Sequence, residues 1–181
     1  MILSAQSIRR LPSLIEPFNE SLLSSAGYDV RLAQTVTLSP GGCRLASTME
    51  RFTMPDWLMG EVVDKSTNAR RFISLFNTRI QPGWCGYLTL EIVNHSDTWV
   101  RFEAGDAIAQ IVFMRLDEPT ESPYAGKYQD QTDGPVGPLD SMVTRHIDSM
   151  VTRHIVTQQQ DEYACSCGRR WDVSEGDECV K

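Results

Sequence analysis

After the first dozen residues, the apolar positions of this chain do not recur at helical spacing. They gather in short runs rich in Val, Ile, Leu, Thr and aromatic residues, most clearly at 28–38, 73–80, 87–93 and 108–116. Turn signals bound most of these runs: Ser39-Pro40-Gly41-Gly42, Gln81-Pro82-Gly83 and Glu103-Ala104-Gly105-Asp106. Many short strands with such punctuation predict a mainly β domain, a barrel or jelly roll. At the start, Ser4 is placed to cap a short helix that buries Ile8 and Leu11 and is stopped by Pro12.

The run at 87–93 also bears on chemistry. Successive side chains of a strand alternate, so Leu88, Leu90 and Ile92 share one face while Thr89, Glu91 and Val93 share the other. One face fills the core. Glu91 is then on the opposite face, where it could line a pocket, but alternation alone favours a solvated carboxylate on an open sheet face.

Composition narrows the class. Hydrophobic residues at 41%, charged at 23% and aromatic at 8% are those of a folded globular protein rather than a disordered or fibrous one. The longest apolar runs, such as 107–114, are far short of the roughly 20 residues of a membrane span, and residues 1–10 lack a signal-peptide pattern, so a cytoplasmic protein is expected, with no membrane partner. The net charge of −7 disfavours nucleic acid as a partner, so any bound phosphate must be held by a local cluster of cations.

The chain changes character near Pro138. Residues 1–139 carry 12 Lys/Arg against 16 Asp/Glu, and 140–181 carry 5 against 8. Cys43 and Cys85 stand apart, while Cys165, Cys167 and Cys179 crowd the end; an odd total without a regular framework reads as reduced thiols. Residues 124–137 are polar and glycine-rich, either a linker or a loop that orders over a ligand. Beyond them the octet DSMVTRHI at 140–147 is repeated without change at 148–155, a short duplication rather than a solenoid. Two parts are therefore expected: a domain at 1–138 and a tail at 139–181.

Five segments taken together resemble the trimeric dCTP deaminase and dUTPase superfamily, the dCTP deaminase branch most of all. They are Ala26-Gly27-Tyr28-Asp29-Val30-Arg31-Leu32; Asp64-Lys65-Ser66-Thr67-Asn68-Ala69-Arg70; Thr78-Arg79-Ile80-Gln81-Pro82-Gly83-Trp84-Cys85-Gly86-Tyr87-Leu88-Thr89-Leu90-Glu91; Gly105-Asp106-Ala107-Ile108-Ala109-Gln110; and Tyr124-Ala125-Gly126-Lys127-Tyr128-Gln129-Asp130-Gln131. The resemblance covers roughly residues 1–135 and leaves the tail outside. It implies a distorted β-barrel or jelly roll of the dUTPase-like type with a short N-terminal helix, assembled as a homotrimer with active sites at subunit interfaces. It further implies hydrolysis of dCTP to dUTP and ammonia, with Mg2+ bound through the substrate triphosphate, no catalytic zinc, and dTTP as a possible inhibitor.

By the same resemblance Glu91 is the proton shuttle, Ser66 helps hold the attacking water, and Arg70 favours the charge developing on the ring. The chemistry fits: water adds to C4, a proton reaches N3, and ammonia leaves, so one carboxylate able to take and return protons can serve each step. Thr89 and Leu90 flank it in the substrate site. Lys65, Ser66, Thr67, Asn68, Ala69 and Arg70 form one short segment offering cations, hydroxyls and backbone donors to phosphate, with Arg79 a further candidate. Tyr124, Lys127 and Gln131 are expected to fold over the nucleotide. Trp84 either packs beside the sugar or fills the core.

One departure matters. Gln81 stands before Pro82-Gly83 where the family has aspartate, and glutamine cannot act as a base. Release of dUMP by a bifunctional enzyme or a dUTPase is therefore the alternative rather than the leading reading; a non-catalytic nucleotide-binding regulator is the third. A zinc deaminase is excluded by the lack of a His/Cys-x-Glu and a Pro-Cys-x-x-Cys, which leaves His95 as a surface loop residue. Cys165, Cys167 and Cys179 with His146 or His154 are either four zinc ligands or an ordinary reduced appendage; no metal residues are assigned there.

Overall fold

The computed structural model describes residues 1–139, so the octet repeat and the cysteine-rich end lie outside the described residues. One compact unit spans Met1–Gly137. A single short helix, α1 (Ala5–Arg9), opens it. Ten strands follow: β1 (Ile15–Glu16), β2 (Leu23–Ser24), β3 (Gly27–Arg31), β4 (Val36–Leu38), β5 (Cys43–Thr53), β6 (Leu58–Asp64), β7 (Ile73–Leu75), β8 (Cys85–Asn94), β9 (Val100–Phe102) and β10 (Ala107–Arg115). A one-turn helix, α2 (Ser66–Ala69), lies between β6 and β7.

All the strand pairings are antiparallel. One four-stranded sheet runs β1-β5-β8-β7, a second runs β2-β3-β10-β6, and β4 pairs with β9 as a ribbon. The mainly β expectation therefore holds. Between the sheets lie fully buried Tyr28, Phe52, Leu58, Leu90, Ile92, Ile111 and Phe113, each contributing on the order of 1.5 to 3 kcal/mol by leaving water.

Several boundaries differ from the sequence expectation for identifiable reasons. The run at 28–38 is two strands, because the chain changes partners between them. β3 lies along β10, the Leu32 amide donates to Asp106, the Ala33 amide then donates to Ser47 on β5, and β4 goes on to join β9. The run at 73–80 is a strand only to Leu75; the chain leaves β8 there, and Ile80 rejoins the fold through a bridge to Gly60. At the N-terminus Ser4 holds the capping position, but its carbonyl rather than its hydroxyl accepts from Ser7 and Ile8, and α1 ends before the half-buried Leu11.

Polar groups inside the unit are paired. Glu50, fully buried on β5, accepts from the Arg31 side chain at 2.7 Å and from the Arg31 amide at 2.9 Å. Buried Asn94 donates to the carbonyls of Ser39 and Thr98, holding two turns to the end of β8. Neither role was expected from the sequence.

Candidate functional site

Glu91 sits in the middle of β8, and its surroundings decide between the two readings of its face. Leu90 and Ile92, on either side in sequence, point into the core and are fully buried. Glu91 faces the other way and is half-buried, and this loss of water pushes its carboxyl above the usual glutamate range. It is not a freely solvated surface carboxylate.

The hydrogen bonding along this edge of β8 comes from three separate sources. At the C-terminal end, β7 pairs Leu75 with Ile92 and Ile73 with Asn94, and the Phe76 amide donates to the Glu91 carbonyl at 3.0 Å. In the middle, where the main chain has turned away, the Asn77 side chain takes over. It accepts from the Glu91 amide at 3.1 Å and donates to the Thr89 carbonyl at 2.7 Å.

At the N-terminal end of β8 the glycine-rich segment 124–136 lies back as a strap. Asp130 donates to the Cys85 carbonyl at 2.9 Å and the Tyr87 amide to the Gln131 carbonyl at 3.0 Å, making a parallel bridge between Gly86 and Gln131. The strap also reaches Thr89, on the same face as Glu91: its hydroxyl accepts from the Val136 amide at 3.0 Å and lies 3.5 Å from the Gln131 side-chain carbonyl. Only glycine suits the bridge. Gly86 has φ +141°, and a Cβ there would stand 2.6 Å from the Gln131 nitrogen.

The other site candidates divide. Ser66, Thr67, Ala69 and Arg70 are exposed on or beside α2, which abuts β7, while Arg79 and Gln81 are exposed on the following loop. Gln81 and Tyr124 share the lining of a cavity of about 490 Å³ with Met59, Pro82, Leu116, Thr120 and Ser122. Tyr124 turns its hydroxyl back to accept from the Tyr128 amide, and exposed Lys127 lies 5.2 Å from the Tyr128 ring. Among the described residues, no side-chain hydrogen bond joins Ser66 or Arg70 to Glu91.

Four residues in the substrate-binding set have other partners. Leu90 is fully buried, so its side chain belongs to the core. Asn68 points inward and donates to the Ile108 carbonyl at 2.9 Å, tying α2 to β10. Lys65 pairs with Asp29, which also accepts from Gln110 at 2.9 Å, so its cation is engaged by the fold. Trp84 takes the core alternative: it is only 6% exposed, and its indole N–H donates to the Tyr128 carbonyl at 2.7 Å, which leaves little ring face for a sugar. His95 is exposed and bonded to the Ser74 hydroxyl.

Sequence reading missed Asn77. A polar amide inside the predicted 73–80 run was the available signal, but nothing local shows which backbone it bridges.

The model of the dCTP deaminase-like family matches residues 33–116. The dCTP deaminase of Pyrococcus horikoshii is 37% identical, covering 73% of this chain and 94% of that protein. That of Thermococcus sibiricus is 38% identical, over 71% and 92%. Among solved structures, native EIAV dUTPase superposes with a TM-score of 0.50 at 16% identity, covering 64% of this chain and 93% of that one, a likeness of fold alone. With its jelly-roll-like sheets and these relatives, the chain belongs to the dCTP deaminase family.

Proposed function

We propose that this chain hydrolyses dCTP to dUTP and ammonia, with Glu91 as the proton shuttle. The observation that carries the reading is the half-buried Glu91 on the strap-covered face of β8, its affinity for a proton raised by desolvation. As a carboxylate it takes a proton from the water adding to C4 and gives it to N3; it then takes the proton of the new C4 hydroxyl and hands it to the amino group, which leaves as ammonia as the C4–N bond breaks and the C4 carbonyl forms. A proton affinity above that of ordinary glutamate suits this two-way traffic near neutral pH.

Ser66 would hold the water and Arg70 the developing charge. On this reading the chain is a homotrimer with its active sites at subunit interfaces. Arg70, Arg79 and Lys127, all exposed, are the cations offered to the triphosphate. The substrate would enter as its magnesium complex, the ion held by phosphate oxygens. Incubation with dCTP and magnesium should release ammonia and dUTP in equal amounts, and Glu91→Gln should abolish release while retaining nucleotide binding. A folded, trimeric wild-type protein without turnover, or an active Glu91→Gln variant, would refute the assignment.

A further inference from the structure

We infer that Asn77 is a positioning residue for Glu91, setting the direction from which its carboxylate meets the cytosine ring. The inference rests on the proposed deamination. Its basis is the way β8 loses its neighbour: β7 ends at Leu75, and the last main-chain bond from that side is the Phe76 amide to the Glu91 carbonyl at 3.0 Å. Had β7 continued, the next backbone groups would have met the Glu91 amide and the Thr89 carbonyl. The Asn77 side-chain amide meets both, at 3.1 and 2.7 Å. One planar group therefore acts as a peptide unit, accepting on one side and donating on the other across Leu90.

The consequence for Glu91 is specific. Its amide and carbonyl are both held from this side, by Asn77 and Phe76, while Leu45 of β5 pairs with it on the opposite edge. Its Cα is thus fixed on both flanks. The side chain leaves from a rigid backbone toward the face where the strap covers Thr89. If Asn77 is removed, two backbone groups at a half-buried position lose their partner, and the strand can shift or twist beside the reacting centre. Displacements of about 1 Å near the chemistry cost up to about 100-fold in rate.

Three conservative variants separate positioning from simple support. Asn77→Ala removes both bonds. Asn77→Asp keeps an acceptor for the Glu91 amide but sets a carboxylate against the Thr89 carbonyl and adds negative charge near Glu91. Asn77→Gln keeps both groups on a longer arm. For folded protein, Asn77→Ala should lower kcat for dCTP roughly 10- to 100-fold with KM changed less than about threefold. Asn77→Asp should move the acidic limb of the kcat profile to higher pH, because the new charge disfavours ionised Glu91. Asn77→Gln should recover part of the lost kcat.

A kcat within about twofold of wild type for folded Asn77→Ala, or an unmoved acidic limb in Asn77→Asp, would overturn the inference. If Asn77→Ala does not fold, the Asp and Gln variants decide it by the same limits. Wild-type and Glu91→Gln proteins run in parallel keep two failures apart. An inactive wild type overturns the proposed activity and this inference together. An active wild type, a dead Glu91→Gln and unaffected Asn77 variants overturn this inference alone.

Discussion

Replacing Gly86 by alanine should loosen the strap from β8, and the size of the effect can be worked from the bridge. The Cβ would stand 2.6 Å from the Gln131 nitrogen and 3.0 Å from its oxygen, both main-chain atoms that cannot swing aside as a flexible side chain would. The φ of +141° adds strain of about 1 to 3 kcal/mol for any residue with a Cβ. The chain relieves the collision by releasing the strap. That surrenders the Asp130–Cys85 and Tyr87–Gln131 main-chain bonds, each worth about 0.5 to 1.5 kcal/mol.

Strain and lost bonds together set a cost of about 2 to 6 kcal/mol. For a chain of this length each kcal/mol lowers the melting temperature by about 2 to 4 °C, so a fall of about 4 to 24 °C is expected. Gly105→Ala is the control. Gly105 also has positive φ, +93°, but nothing lies within 4 Å of its added Cβ, so it carries strain without collision. Thermal unfolding of both variants at matched concentration, with hydrogen exchange read at the Tyr87 and Asp130 amides, separates the contributions. Only Gly86→Ala should deprotect those two amides. If they stay as protected as in wild type, or if the two variants melt together, the strap does not hold β8 as argued.

Other outcomes follow from the same structure. Arg31→Leu should destabilise the domain by about 3 kcal/mol in chemical denaturation, because Glu50 is left charged and buried, and Arg31→Met with Glu50→Met should recover most of the loss. The raised proton affinity of Glu91 has two signatures. In kinetics, kcat/KM should fall as pH decreases through a value above 4.5, since the ionised carboxylate is the base. In stability, the folded form holds the proton more tightly, so the contribution of Glu91 is present in full below 4.5 and is lost as pH rises through its folded pKa; Glu91→Gln should lack that slope. Finally, chromatography of the products should show dUTP accumulating without dUMP, because Gln81 offers no carboxylate to activate water against phosphate; steady production of dUMP would refute this.

The parts of the fold legible in the sequence are those where burial alternates over several residues. β8 from Leu90 to Asn94 and β10 from Ala109 to Met114 do so, with Leu90 and Ile92 or Ile111 and Phe113 turned inward at every second position. β5 was overlooked, and its burial explains why: Ala46, Ser47 and Thr48 are buried in succession, and the register shifts between Ser47 and Arg51, so period two is lost and polar residues face inward. At the site, alternation separated Glu91 from the core, yet could not show whether water covers it. Nor could it show that Asn77 meets its backbone, or that Gln131 and Val136 meet Thr89 on the same face, all from elsewhere in the chain. Motif membership likewise grouped Lys65, Asn68 and Leu90 with the ligand, although Asp29, Ile108 and the core claim their side chains.

The order of synthesis gives the strap a further significance. β8 leaves the ribosome well before its edge can be satisfied, since Gln131 follows even β10, the last strand of the sheets. A nascent chain ending at Arg115 would hold every strand of both sheets but leave the Tyr87 amide and Cys85 carbonyl open, along with the indole N–H of Trp84. An open strand edge invites pairing with another chain. The strap therefore closes the domain in time as well as in space, and truncations before residue 131 should aggregate even though no strand of either sheet has been removed.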